Sequence, residues 1–566
     1  MELSESSRQH ARVNVSVSPA VQQVREYHQR TKHTLQAYAK GPEALDWSAQ
    51  PNSFRVFEGA AVTELPLVKL PETLMFSDLI SQNISANIFN AKSVSSLLRL
   101  SVGLAQWKQF GPDQWALRCN PSSGNLHPTE AYVVLVGWDG FKNGVYHYDS
   151  YLHALALRCE FLDQTAFEPL LLVGFSTVHW REAWKYGERA FRYCHLDIGH
   201  ALGSLAISAA SLGWQTALLA DGADERLSSL LGTGRPEFQS VEAEFAECLL
   251  AVGPSSALAE AADMWEVLVR AAASGRWMGA PNLLDPKPLY RWSVIDEVNV
   301  ASKLGSAKSL AALSAFAEMN SEQRASNADF SRSTLSAEQV ILRRRSAQAY
   351  APEFVLSQAD FWQLMDCLSD EFNWPGPAAH NIHAVIAVHK VAGVTPGFYL
   401  LNRNGTNGAK KSLSALKESL GRWSDWVEIP HPQNTYSLHR ITTANVQRAV
   451  GTLDCNQRIA TDGAVEIGFL AEFDDALEKY GSAAYRHLHW QAGLLGHRLY
   501  LQSTALDFGG TGIGCFFDDA WHELLGIKDT QFQFVYHFAI GQPLHDSRLI
   551  GLSGYFHLQD RPWEAL

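Results

Sequence analysis

From residue 187 to 213, apolar and small residues recur at i, i+3 and i+4, with Gly199, Gly203, Ala206 and Ala210 in one line. That period predicts a buried helix, and the small residues on it let a second backbone approach closely. Short runs rich in β-branched and aromatic residues surround it: "AYVVLVG" from 131, "GVYHYD" from 144 and "ECLLAVG" from 247. A second set follows: "HAVIAVHKV" from 383, "GFYLL" from 397 and "FQFVYHFAIG" from 532. These runs predict strands. The pattern is α+β, with a sheet flanked by helices occurring twice.

The chain also repeats itself. "KYGERAFRYCHLDIGHALGSL" from 185 matches "KYGSAAYRHLHWQAGLLGHRL" from 479 without a gap. Lys185, Tyr186, Gly187, Ala190, Arg192, His195, Gly199, Leu205 and Leu212 meet Lys479, Tyr480, Gly481, Ala484, Arg486, His489, Gly493, Leu499 and Leu506, all at an offset of 294 positions. "NGVYHYDSYLHAL" from 143 is echoed by "PGFYLLNRNGTNG" from 396. The simplest account is a tandem duplication. Residues 272–335 are rich in proline, serine and polar residues and predict an extended connector with one helical piece, "AKSLAALSAFAEM". The expected division is 1–70, 71–290 and 291–566, the last beginning with the connector.

Composition narrows the function. At 566 residues, two to four domains are expected. A formal charge of -13 disfavours nucleic-acid binding, which needs a basic face. Cysteines at 119, 159, 194, 248, 367, 455 and 515 include no CxxC, so no disulfide framework or zinc knuckle is expected. The opening "MELSESSRQHARVNV" lacks the pattern of a signal peptide, and no apolar run suits a membrane helix. A cytoplasmic protein is expected, and no metal site, since no HExxH or similar spacing occurs.

Four segments carry candidate chemistry. "RRRS" at 343–346 offers forked donors and a hydroxyl for a terminal phosphate, although a solvated helix end has the same composition. "PSSGN" at 121–125 offers hydroxyls and an amide on an irregular turn. "GGTGIG" at 509–514 permits close backbone approach, or simply ends a helix. Lys185 and Tyr186 are a base and a phenol, or merely the start of a helix.

Together, "PSSGNLHPTEAYVV" at 121, "KYGERAFR" at 185, "RRRSAQAY" at 343, "ALDFGGTGIGCFFDDAWHELLGI" at 505 and "YHFAIGQPLHDSRL" at 536 resemble the FMN-dependent nitroreductase superfamily, and within it the SagB/ThcOx-type dehydrogenases. Residues 27–57 resemble the leader segment of that branch, which makes 1–70 an N-terminal leader. The resemblance implies two nitroreductase-like domains in tandem, each a central antiparallel-rich sheet flanked by helices, forming an intramolecular pseudo-dimer. It implies FMN, with the phosphate held by Arg343, Arg344, Arg345 and Ser346 and by Arg548 near the second basic ligand. Gln348 stands where the family often has another basic residue. Pro121, Ser122, Ser123 and Asn125 would lie along the flavin ring, and Gly510, Thr511, Gly512 and Gly514 would wrap the opposite side.

The first half has no "RRRS" counterpart, since it reads "LMFSDLISQNISANIF" there, and the second reads "WPGPAAHNIHAVIAV" where the serines would stand. One complete site per chain is therefore expected. In the azoline-oxidising members a Lys-Tyr pair acts on substrate, which casts Lys185 as base and Tyr186 as its orienting or relaying partner. Arg192 and Arg486 are expected to brace the fold. The implied activity is dehydrogenation of a peptide-derived azoline or similar C–N bond in natural-product biosynthesis, alongside partner enzymes. Two alternatives stand beside it: an NAD(P)H-dependent reductase of nitro, quinone or dehydroamino-acid substrates, and a non-catalytic scaffold.

Overall fold

In a computed structural model, the described residues are 18–81, 84–162, 168–219, 223–238, 242–317, 333–369, 374–377, 380–403, 409–423 and 426–566. The N-terminal stretch 1–17, the polar part of the connector at 318–332, and Ala378 and Ala379 lie outside them.

All six predicted runs form strands; Gly144–Asp149, Gly397–Leu401 and Phe532–Gly541 coincide with theirs, and the other three differ by one to three residues at an end. Two sheets result, antiparallel throughout. In the first, the order is Gln215–Leu218, Glu244–Gly253, Leu170–Val178, Thr129–Val136, Gly144–Asp149, Ala154–Glu160 and Arg276–Trp277, with Ala61–Glu64 also on Ala154–Glu160. In the second it is Gly509–Ile513, Phe532–Gly541, Val465–Glu472, Ile382–Val388, Gly397–Leu401, Ser437–Arg440 and Val427–Pro430. Over the first five strands of each path chain order is permuted in the same way, and the two sheets differ only at the far edge.

Each sheet has a central strand that the run-by-run reading misses, Leu170–Val178 and Val465–Glu472. Almost every residue of both is buried.

Between the sheets, helices Ala190–Ala210 and Ala484–Ala505 are buried along nearly their whole length. They cross at Gly199 and Gly493. A Cβ on Gly493 would overlap the carbonyl oxygen of Leu196. One on Gly199 would overlap that of Trp490 and lie 2.9 Å from the Gly493 Cα. Two hydrogens at the crossing allow backbone-to-backbone contact that no larger residue permits.

Ion pairs cross over in the same way. Arg192 on the first helix meets Asp518 at 2.8 Å, with Arg189 on the other oxygen at 2.9 Å. Arg486 on the second meets Asp224 at 2.8 Å and Glu247 at 3.0 Å. Asp224 and Asp518 each open a helix, Asp224–Leu231 and Asp518–Leu525. Burial raises the Asp518 carboxyl, but Arg189 and Arg192 outweigh it and hold it well below the usual range. Arg192 and Arg486 are both engaged in this bracing.

The ends of the chain add to the junction. Helix Pro19–Arg30, capped by the Ser18 hydroxyl, places Tyr27 Oη on the Glu188 carbonyl (2.6 Å) and the His28 ring against Tyr485 Oη (3.3 Å). Strand Ile550–Ser553 extends the hairpin Leu104–Phe110 and Asp113–Arg118, and Trp563–Ala565 runs parallel to Leu67–Lys69.

The expectation of an extended connector with one helical piece needs correction. Helix Ser255–Ser274 runs into its start, and its described part holds two helices, Ser293–Ala301 and Ala307–Ala317. Buried Val294, Ile295 and Val298 explain the first of these, an apolar spacing set among polar residues.

Gly199→Ala and Gly493→Ala are each expected to destabilise the protein by about 1–3 kcal/mol through overpacking. Gly305→Ala, where a Cβ meets nothing, serves as the control. Chemical denaturation checks this; equal midpoints for all three would refute the crossing.

Candidate functional site

The 121–125 segment is a turn held in unusual backbone geometry. Gly124, Asn125 and His127 all have positive φ, at 59°, 60° and 53°. Side-chain bonds hold it there. Asp197, on the first central helix, accepts the Ser123 amide (3.1 Å) and its Oγ (3.1 Å). Ser122 Oγ accepts the His127 amide (2.8 Å) and approaches Glu182 Oε1 at 3.5 Å. Asn125 Nδ2 donates to the Ala116 carbonyl (2.9 Å), and its Oδ1 meets His127 Nε2 (3.0 Å). Pro121 is buried beneath, and Gly124 is exposed.

Helix His179–Tyr186 presents Glu182, Lys185 and Tyr186 to this turn. A Cβ on Gly124 would lie 2.6 Å from Tyr186 Oη and 3.0 Å from Lys185 Nζ, so the predicted pair touches the predicted turn. The Tyr186 ring meets Tyr193 edge-on at 4.6 Å, and the lysine lies 5.8 Å from the Trp47 ring. Burial raises the Asp197 carboxyl to about 7, against the opposing bonds from Ser122 and Ser123. It raises Glu182 well above the carboxylate range, with Asp197 adding to the effect. Tyr186 is raised by burial and then by Glu182, so its phenol keeps its proton at neutral pH.

The predicted phosphate segment lies on the other side. Buried Arg344 donates to the backbone carbonyls of Cys119 (3.0 Å) and Arg118 (3.1 Å), just ahead of the turn, and its guanidinium stacks 5.2 Å from the Tyr500 ring. Arg345 donates to Gln106 Oε1 (3.0 Å) and to the Leu342 carbonyl (2.8 Å). Among the described residues neither guanidinium has a carboxylate partner. Burial and then Arg344 bring Arg345 down to about 10, and burial and then Arg345 lower Lys108. Ser346 Oγ shares a proton with Tyr500 Oη (2.7 Å), which accepts the Gly512 amide (2.9 Å).

"GGTGIG" is largely an edge strand, Gly509–Ile513, rather than a loop. Gly510 bridges to Ser346, Thr511 Oγ1 donates to the Ala347 carbonyl (2.7 Å), and Gly512 and Gly514 back onto the rings of Tyr536 and Tyr193.

Three predicted residues lie apart from this core. Arg343 is exposed and lines a cavity of about 360 Å³ with Thr334, Leu335, Asp360 and Asp507. Gln348 is exposed. Arg548 is paired with Asp546 by both oxygens (2.9 and 2.7 Å) and stacks 5.4 Å from Phe110.

The nitroreductase family model matches residues 341–542. That stretch is a nitroreductase-family domain. The crystal structure of an Anabaena variabilis protein described as a nitroreductase matches with a TM-score of 0.63 at 23% identity, over 92% of this chain and 99% of its own. The nitroreductase fold therefore reaches well beyond the matched domain. A Methanocaldococcus jannaschii protein named as a nitroreductase is 28% identical over 131 residues, 21% of this chain. The chain spans 66% of that curated relative's length. The Escherichia coli microcin synthetase McbBCD complex, solved with truncated pro-MccB17 bound, gives a TM-score of 0.24 at 16% identity, over 41% of this chain and 92% of the other.

Against this nitroreductase fold, sequence reasoning missed Glu182, Asp197, Tyr193, Tyr500, Gln106 and Lys108. The internal repeat holds a signal for some of them. At the 294-residue offset, Glu182 faces Ala476, Asp197 faces Gln491, and Tyr500 faces Ala206. Each marks a place where the halves differ in chemistry.

Two further buried groups, His179, His195 and Glu247, and Asp454, Glu466 and His537, have ligand atoms close enough for a cation. Both carry internal bonds: Arg486 donates to Glu247 (3.0 Å), Trp521 to Asp454 (2.9 Å), and His537 meets Glu466 (2.7 Å). No spacing motif foreshadows them, because each gathers residues from separate elements.

Asp197 generates a pH prediction. Its native carboxyl holds a proton up to about 7, whereas an unfolded one releases it near 3.9. Stability contributed by the protonated form is complete below about 4 and lost as pH rises to about 7. Asp197→Asn should therefore gain Tm relative to the parent between pH 4 and 7 and level off above. Thermal melts across pH 4–8 test this, and a difference independent of pH would refute it.

Proposed function

We propose that this protein is an FMN-dependent oxidoreductase of the SagB/ThcOx type, with one flavin site per chain built from two tandem nitroreductase-like domains acting as a pseudo-dimer. The domains are 71–290 and 291–566, preceded by the 1–70 segment, with the ends of the chain crossing between them. The observation that carries the reading is Arg344. A buried cation with no carboxylate partner among the described residues binds the backbone immediately ahead of the Pro121–Asn125 turn. Arg345 and Lys108 beside it add charge that a phosphate dianion would relieve, and a buried uncompensated guanidinium is costly otherwise.

The residues present fit that cofactor at both ends. Arg344, Arg345 and Ser346 would hold the phosphate, with the edge strand of Gly510 and Gly512 bonded alongside Ser346 and Tyr500. The turn, with Gly124 outermost, would lie along the ring. FMN supplies, when bound, a centre that accepts a hydride. This chain's residues do the rest. Lys185 Nζ takes a proton from the carbon beside the C–N bond being oxidised. Tyr186 Oη, protonated at neutral pH, orients the substrate's heteroatom. Asp197 fixes Ser123 and so keeps the turn's shape. The substrate is a peptide-derived azoline or a similar C–N bond, processed alongside partner enzymes in the cytoplasm.

The duplicated pair Lys479 and Tyr480 has alanine and glutamine in place of Glu182 and Asp197, and the first half has no second "RRRS". The second site is therefore inactive.

Acid extraction of the purified chain should release one FMN per polypeptide; none after reconstitution, or two, would overturn the assignment. Lys185→Ala should lower turnover by roughly 100-fold or more with FMN retained, whereas Lys479→Ala should leave it unchanged. Comparable losses from both would contradict the single-site reading. Steady NAD(P)H consumption without peptide would replace the dehydrogenase with the reductase alternative.

A further inference from the structure

One cluster outside these groups combines nucleophiles, a hydrogen-bond donor and access. Cys455 and Cys515 place their Sγ atoms 2.7 Å apart, closer than a thiol–thiolate hydrogen bond, so little movement separates them from a disulfide. They are partly exposed, whereas the other five cysteines are buried. The backbone holds them in register: Gln457 Nε2 donates to the Cys515 carbonyl (2.9 Å) and the Phe517 amide to the Leu453 carbonyl (2.7 Å). Cys455 and Asn456 both sit in the left-handed region, at φ 55° and 58°, as a tight turn that aims the thiol inward requires.

His33 completes the group. Its Nδ1 accepts the Ala39 amide (2.8 Å), so the neutral ring carries its proton on Nε2 and donates it to Cys515. Arg189 donates to the Gly514 carbonyl (3.0 Å), bringing a fixed cation alongside. The titratable and charged groups facing the pair are His33, Tyr38, Tyr186, Arg189, Tyr193 and Asp454. The bond from Cys455, and then those from His33, draw the Cys515 thiol down to about 5 against its burial. The contact with Cys515, and then burial, raise Cys455.

We propose that Cys515 is a reactive thiolate with Cys455 as its resolving thiol, and that the pair takes a hydroperoxide as substrate. Cys515 Sγ attacks a peroxide oxygen, the O–O bond breaks, and the departing alkoxide takes a proton to leave as alcohol, or as water from hydrogen peroxide. Cys515 becomes a sulfenic acid. Cys455 Sγ then attacks Cys515 Sγ, the S–O bond breaks, and water leaves with the Cys455 proton. Two thiols and one hydroperoxide give one disulfide, one alcohol and one water. The thiols lose two electrons and the peroxide gains them. The cluster stands independently of the flavin reading, though it lies one residue from Gly514 and the Tyr193 ring beside the candidate site.

The test uses full-length, flavin-free protein, so that its failure is separate from failure of the FMN assignment. At pH 6, iodoacetamide should modify Cys515 roughly fivefold faster than cysteine in a short peptide, because the larger thiolate fraction outweighs its lower intrinsic nucleophilicity. One equivalent of hydrogen peroxide should remove two hydrogens from the intact mass and yield a Cys455–Cys515 cross-linked peptide. In Cys455→Ser it should leave a sulfenic acid on Cys515, trapped by dimedone. In Cys515→Ser neither product should form. Alkylation no faster than the peptide, or peroxide leaving both residues as thiols, overturns the proposal. So does a sulfenic acid on Cys455 in the Cys515→Ser variant. Circular dichroism of both variants confirms that they are folded.

Discussion

The structure depends on how closely two buried helices approach. At Gly199 and Gly493 the backbones of Ala190–Ala210 and Ala484–Ala505 meet with no side chain between them, because a Cβ on either glycine would run into a carbonyl oxygen of the other helix. That contact decides what lies opposite what. It brings Arg192 to the Asp518 helix and Arg486 to the Asp224 helix, so each half caps the other with a buried charge. Such pairs add little over an apolar contact of the same volume, but losing one partner strands a charge in the core, typically at 3–5 kcal/mol. They therefore act less as glue than as a penalty on any other alignment.

The same approach shapes the candidate site. Asp197 sits two residues before the crossing and reaches the 121–125 turn, and Tyr500 sits seven residues after Gly493 and reaches Ser346. The result is electrically lopsided. Buried carboxyls that keep their protons near neutrality, Glu182 and Asp197, lie under the turn. Guanidiniums with no carboxylate partner among the described residues lie at the Arg344 end. At the 294-residue offset of the sequence repeat, Ala476 and Gln491 stand where Glu182 and Asp197 would recur, so the carboxyl pair occurs once in the repeat.

Some of this was legible in the chain alone. Runs rich in β-branched or aromatic residues, the long small-residue helix and the constant 294-residue offset are local or periodic properties, and each survives into the folded molecule. The Lys185–Tyr186 pair and the 121–125 turn were recognisable as chemistry through the resemblance their segments carry, since lysine at a helix end and a Pro-Ser-Gly turn before a strand are ordinary in themselves. Their contact across Gly124 was not, since it depends on where two elements 61 residues apart are laid by the sheet.

Sequence by itself determined the α+β pattern, the repeat, the candidate turn and the basic segment, because these follow from short-range spacing and composition. Tertiary structure alone decided the rest. That Leu170–Val178 and Val465–Glu472 are central strands follows only from their pairing on both sides with strands from remote parts of the chain. Arg548 is claimed by Asp546, while Arg344 is left to the backbone of the opposite half. Cys455 and Cys515 meet from 60 residues apart. In each case the deciding quantity is a distance or a burial that arises when remote segments exclude water from one another, and no local pattern encodes it.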